Sequence, residues 1–191
     1  MIGLITGLVL FLGVHSVRVF ASSSRDEFIA SRGENAWKGL YSIASLAGLV
    51  VLVWGFGEAR VSPSNVFFYS SPTWLTHLQL LLMVPALILF FASQFPAGRI
   101  KKAVKNPMLT GVKIWAIGHL LVNGDLASWL LFGTFLVWAV VLVINTNRRG
   151  IEPPKETSAM GDVLSVVVGI GVWVAFSFWL HEWLIGVPVI A

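Results

Sequence analysis

Residues 106–125 read NPMLTGVKIWAIGHLLVNGD, an apolar segment with a marked start, a marked stop and one histidine in its second half. Asn106 is placed to cap a helix, because its side-chain oxygen can accept an orphan backbone N–H. Pro107 suits the first helical position, where a missing N–H costs nothing. At the other end Gly124 is expected to take the left-handed turn that closes a helix, and Asp125 to cap the next one. Gly111, Trp115, His119 and Asn123 recur every four residues and so share one helix face. That face sets an indole, an imidazole and an amide into an otherwise oily helix. It is the candidate functional stripe.

The surrounding chain is oily throughout. Of its 191 residues 57% are hydrophobic and 12% charged, about half the charged share of a soluble domain. Mean hydropathy is +0.84. This composition predicts an all-α, polytopic membrane helical bundle forming a single domain over 1–191. Six spans are expected, at about 2–20, 39–57, 73–96, 107–123, 126–144 and 163–185. The first lacks a basic leader and exceeds the usual signal-peptide core, so it reads as a retained span. The absence of cysteine excludes disulfides and thiolate metal sites.

The formal charge of +4 does not imply nucleic acid, since the basic residues lie between apolar runs. Arg18, Arg25, Arg32 and Lys38 follow the first span. Arg99, Lys101, Lys102 and Lys105 follow the third, and Arg148, Arg149 and Lys155 the fifth. The positive-inside rule makes these connections cytoplasmic and puts both termini on the other side. An amphipathic interfacial helix is expected within 18–38, and a second at 97–105. Asp162 is expected to cap the sixth span, and Glu152-Pro153-Pro154-Lys155-Glu156 to form a mobile linker. Gly3/Gly7 and Ala44/Gly48 are small-xxx-small pairs suited to close helix packing.

Ionisable side chains within spans are costly, which makes each a functional candidate. His119, flanked by Trp115 and Asn123, is the best placed. His15 has Arg18 on its face one turn later; it suits either a polar contact in the bundle or a cofactor ligand beside a cation. His77 and His181 lie near span ends, where interfacial histidines are the simpler account, although His181 also suits ligation. Lys113 either snorkels to the interface or meets an acidic cofactor group. Asp125 reads as a helix cap before it reads as a catalytic acid.

Several membrane histidines with no cysteine and few carboxylates suit haem iron better than zinc. Haem accepts axial imidazoles from separate helices, and its propionates need cations such as Arg18 or the 99–105 cluster. Zinc would want three ligands at close spacing, and the sequence has no HxxxH pair.

The pattern His15-Ser16-x-Arg18, Leu40-Tyr41-Ser42, Asn106-Pro107 with Gly111-x-Lys113-x-Trp115, His119-Leu120-x-x-Asn123-Gly124-Asp125 and His181-x-Trp183-Leu184-Ile185-Gly186-Val187 resembles the NnrU family over nearly the whole chain. The block at 119–125 is its most specific part. That family is named for an association with nitric-oxide and nitrite reduction in denitrifying bacteria. It is related to the plastid 15-cis-ζ-carotene isomerases, membrane proteins that use haem b to isomerise a polyene double bond.

The resemblance implies haem b held by His15 and His119, a lipophilic polyene as a possible substrate, and residence in a bacterial inner membrane. Many relatives carry histidine where this chain has Asn106, so that imidazole's role is absent here. Along the spans His15 and His119 differ in depth by roughly 10 Å at 1.5 Å per residue, which makes His181 the alternative ligand. Two other readings stand beside this one. Asn106-Pro107-x-x-x-Gly111 echoes an element of membrane methyltransferases that bind S-adenosylmethionine, though their histidine is missing. A non-enzymatic assembly or regulatory factor for nitrogen-oxide respiration is the third.

Overall fold

The expected spans form as helices, and the chain between them folds into shorter ones. The computed structural model describes residues 1–150, 152 and 154–190; Pro153 of the linker expected at 152–156 lies outside the described residues. In chain order the helices are α1 (Ile2–Phe20), α2 (Ser22–Arg32), α3 (Glu34–Val61), α4 (Thr73–Ala92), α5 (Arg99–Val104), α6 (Pro107–Val122), α7 (Leu126–Arg148) and α8 (Ala159–Ala175). From α8 the chain runs without a break through a π-helical turn, Phe176–Leu180, into α9, His181–Ile185. No strand occurs among the described residues, and the protein is an all-α helical bundle.

Five of these stretches are long and apolar enough to cross a membrane: α1, α3, α4, α7 and the continuous Ala159–Ile185. With 16 residues, α6 is about 24 Å long and falls short of a ~30 Å hydrocarbon core. Outward-facing side chains such as Ile43, Leu46, Val50, Val137 and Val167 are exposed. Lipid, not water, is the solvent that such faces suit.

Contacts gather the chain into two compact units, Met1–Phe68 with Asp125–Thr134, and Tyr69–Gly124 with Phe135–Ala191. In the first, α1 packs along α3 at glycines. A Cβ on Gly48 would sit 2.9 Å from the Phe11 nitrogen, and one on Gly7 or Gly55 would strike the backbone of Leu52 or of Gly3 and Leu4. Gly7 and Gly48 were legible as packing residues. Gly55, seven residues beyond Gly48, extends the same contact. Such close approach maximises dispersion between helices where lipid removes the hydrophobic drive. Within 18–38, where an interfacial helix is expected, the chain forms the helix α2, which joins the pair.

Also in the first unit, the loop before α4 closes on the start of α7. Asp125 caps α7 as expected: its carboxylate accepts from the Ser128 amide (3.0 Å) and hydroxyl (2.6 Å). Asn65 reaches it from sixty residues away, donating to Asp125 Oδ1 at 3.2 Å while its own Oδ1 accepts from the Ala127 amide at 2.9 Å.

In the second unit α4 is flanked by α6 and α8. Gly111 of α6 lies against the Ala86 carbonyl, Gly169 of α8 lies against Ile88, and the Trp173 indole donates to the Leu80 carbonyl at 3.1 Å. The third span ends at Ala92, short of residue 96, because the chain turns at Ser93–Phe95.

Three capping expectations are corrected. Helix α6 begins at Pro107, but Asn106 makes no side-chain cap; its amide points to Asn147 at 3.5 Å. Gly124 is not left-handed. It is small because a Cβ there would collide with the Tyr69 carbonyl. Asp162 does not open the sixth span, which is capped by Ser158. Its carboxylate instead accepts from the Arg99 and Ile100 amides, at 2.8 and 3.1 Å, and so caps α5.

Candidate functional site

Three of the four histidines share one local arrangement. In α1 and α6, His15 Nδ1 lies 2.7 Å from the Phe11 carbonyl and His119 Nδ1 2.9 Å from the Trp115 carbonyl, each one turn back. His181 Nδ1 lies 2.7 Å from the Val187 carbonyl. A carbonyl can only accept, so each Nδ1 carries a proton, and in the neutral ring the lone pair is then on Nε2. For His181 this needs the chain to double back, which Gly186 allows by adopting φ 75°, ψ 21°. The π-helical turn just before His181 resets the direction in which the following side chains project.

In the first unit, His15 stands among aromatic rings, with Phe11 at 4.2 Å and Tyr41 at 5.4 Å between centroids. Beside it a half-open pocket of about 260 Å³ is lined by Val14, His15, Val17, Arg18, Arg25, Trp37 and Tyr41. Three elements build it: the last turns of α1, the first of α2 and the first of α3. Arg25 lies 5.9 Å over the Trp37 ring and is paired to Asp26 at 2.7 Å. Arg18 was expected near His15. Arg25, Trp37 and Tyr41 were not placed there by sequence reasoning, since nothing local reveals that α2 folds Arg25 back over α3. The only available signal was their shared position in the charged, aromatic connection between two spans.

In the second unit, Trp115 and His119 stay together as the stripe predicts, with ring centroids 5.3 Å apart. Phe135 meets Trp115 edge-on at 5.4 Å and is itself 6.2 Å from Trp138. His181 belongs to the same unit. Asn123 leaves the stripe: it lies beyond the helix with extended backbone, φ −104°, ψ 98°, and its carbonyl accepts from the Tyr69 hydroxyl at 3.3 Å.

Lys113 is half-buried on α6, and His77 is exposed on the second turn of α4. Asp125 is buried in its capping network. Burial there opposes ionisation, but hydrogen bonds from the Ser128 hydroxyl and amide and from Asn65 outweigh it and hold the carboxyl below its ordinary value. Among the described residues no three of His, Asp and Glu gather as a zinc site would require.

No curated protein and no solved structure matches the chain. The family model described as NnrU protein matches residues 3–189. With nearly all of its 191 residues inside that match, the chain belongs to the NnrU family.

Proposed function

We propose that this protein is a haem-b-binding integral membrane protein acting in nitrogen-oxide respiration, with isomerase-like or redox-sensing chemistry on a lipophilic polyene. One observation carries the haem reading: His15, His119 and His181 each have Nδ1 held by a backbone carbonyl, leaving the basic nitrogen at Nε2. Metal-ligating imidazoles have this second partner, which fixes ring orientation and raises basicity. That arrangement supports imidazole ligation of haem iron through Nε2.

His15 and His119 are the expected ligands, with His181 the alternative. Arg18 and the cations of 99–105 are the candidate partners of the propionates. Trp115 and Phe135 keep the surroundings of His119 apolar, which lowers the local dielectric and with it tunes any bound iron. When bound, haem would supply a Lewis-acidic or one-electron centre. Basic connections after the first, third and fifth spans favour both termini lying outside the cytoplasm of a bacterial inner membrane.

The test is optical. Full-length protein from haem-replete cells, purified in detergent, is expected to show a Soret band that sharpens and shifts on dithionite reduction. His15→Ala and His119→Ala should each weaken or displace it. A colourless wild-type protein overturns the reading. Bands unchanged in both variants, but lost in His181→Ala, move the ligand assignment to His181.

A further inference from the structure

The pocket beside His15 lies where two apolar helices meet a charged connecting helix, the level at which spans are expected to reach the headgroup layer. Two guanidinium groups, Arg18 and Arg25, share its wall with the indole of Trp37 and the phenol of Tyr41. Arg25 is oriented by Asp26 on one side and by the Trp37 face below it, so its fork is partly preorganised. Arginine forks recognise phosphate by paired N–H donors, and Trp and Tyr favour the boundary between hydrocarbon and headgroups. At about 260 Å³ the space falls below the roughly 300–1,000 Å³ of pockets that engulf a drug-sized ligand. That size suits a lipid headgroup.

We propose that this pocket binds the phosphate of an anionic phospholipid, with the acyl chains lying along the apolar faces of α1 and α3. The site needs no haem. The bound oxyanion bridges α1 to α2 through Arg18 and Arg25, and thereby fixes the interfacial helix against the α1–α3 pair. A free phosphate, or a haem propionate, would present the same chemistry to these groups, and the experiment separates the three.

Haem-free, delipidated full-length protein in neutral detergent is titrated with short-chain phosphatidylglycerol or phosphatidylcholine of equal chain length, and bound lipid is counted by native mass spectrometry. Phosphatidylglycerol is expected to bind at least fivefold more tightly, and Arg25→Gln to abolish that preference. Arg32→Gln removes the same charge from the same helix, outside the pocket and over Phe28, and should retain it. Arg18→Gln, at an exposed position, gives a second loss if Arg25→Gln does not fold. Equal binding of the two lipids, or equal losses in Arg25→Gln and Arg32→Gln, overturns the proposal. Displacement of the lipid by millimolar inorganic phosphate overturns the choice of a lipid and assigns the site to a soluble oxyanion. Displacement only by added haem overturns it in favour of a propionate.

Discussion

Asn65 and Asp125, sixty residues apart, are joined by a buried hydrogen bond from the Asn65 amide to Asp125 Oδ1 at 3.2 Å. The same Asn65 amide group also donates to the Arg60 carbonyl at 3.0 Å. One side chain thus ties the end of α3 to the beginning of α7. The Asp125 carboxylate is satisfied by neutral donors and has no need of a cation.

Asn65→Ala strips one donor from a buried carboxylate and leaves the Ala127 amide without its acceptor. Such losses cost about 1–3 kcal/mol each. Thermal unfolding in detergent should therefore show a clear fall in Tm. Asn65→Asp, which sets a second carboxylate against the first, should be worse than alanine. A Tm unchanged in Asn65→Ala would mean that water replaces the amide there.

Acid should weaken the same junction. Because the folded Asp125 carboxyl lies below its ordinary value, folding favours the ionised form. Its contribution is complete above the unfolded-state value and drains away as pH falls through the folded one. Asp125→Asn should lower stability at neutral pH and flatten the acid side of the Tm-against-pH curve, measured by thermal unfolding across that range.

Gly55→Ala places a methyl group into the backbone of Gly3 and Leu4, whereas Gly57→Ala meets nothing within 4 Å. The first should push α1 from α3 and cost about 1–3 kcal/mol, in the range of overpacked cores. The second should be neutral or stabilise by up to about 1 kcal/mol through helix propensity. Parallel unfolding curves that drop equally for both would contradict the close helix contact.

Where α6 stops, its last carbonyls find partners from the chain before α4. The Tyr69 hydroxyl donates to the Leu120 and Asn123 carbonyls, and the Ser71 hydroxyl to that of Val122 at 3.1 Å. A helix too short to span leaves such groups at membrane depth, where an unmet carbonyl is costly. Tyr69→Phe combined with Ser71→Ala should speed amide exchange over residues 119–123 and lower Tm, while exchange in α8 stays slow.

Asp162→Ala should release the start of α5, exchanging the Arg99 and Ile100 amides faster and costing about 1 kcal/mol. Asp162→Asn keeps an acceptor and should lie between. If the sixth span frays at Ala159 instead, the carboxylate caps its own helix after all.

Much of this protein was legible in its sequence because desolvation acts locally. Runs such as 2–20 and 126–144 must be helical, since in hydrocarbon a chain can satisfy its peptide groups only from within. Pro107 marks the start of α6, and the adjacency of Trp115 and His119 follows from a four-residue repeat. The carbonyl partners of His15 and His119 lie one turn back, which makes the tautomer of each ring a consequence of helix geometry.

Tertiary structure decided the assignments that depend on partners distant in the chain. Asp162 looked like a cap for the helix that contains it, yet it serves amides 62 and 63 residues earlier. Gly124 looked like a turn glycine and is a clearance for Tyr69. Arg25, Trp37 and Tyr41 join His15 and Arg18 only because α2 folds back between α1 and α3. A helix can satisfy its own interior but not its ends, and the residues that complete those ends are selected by packing.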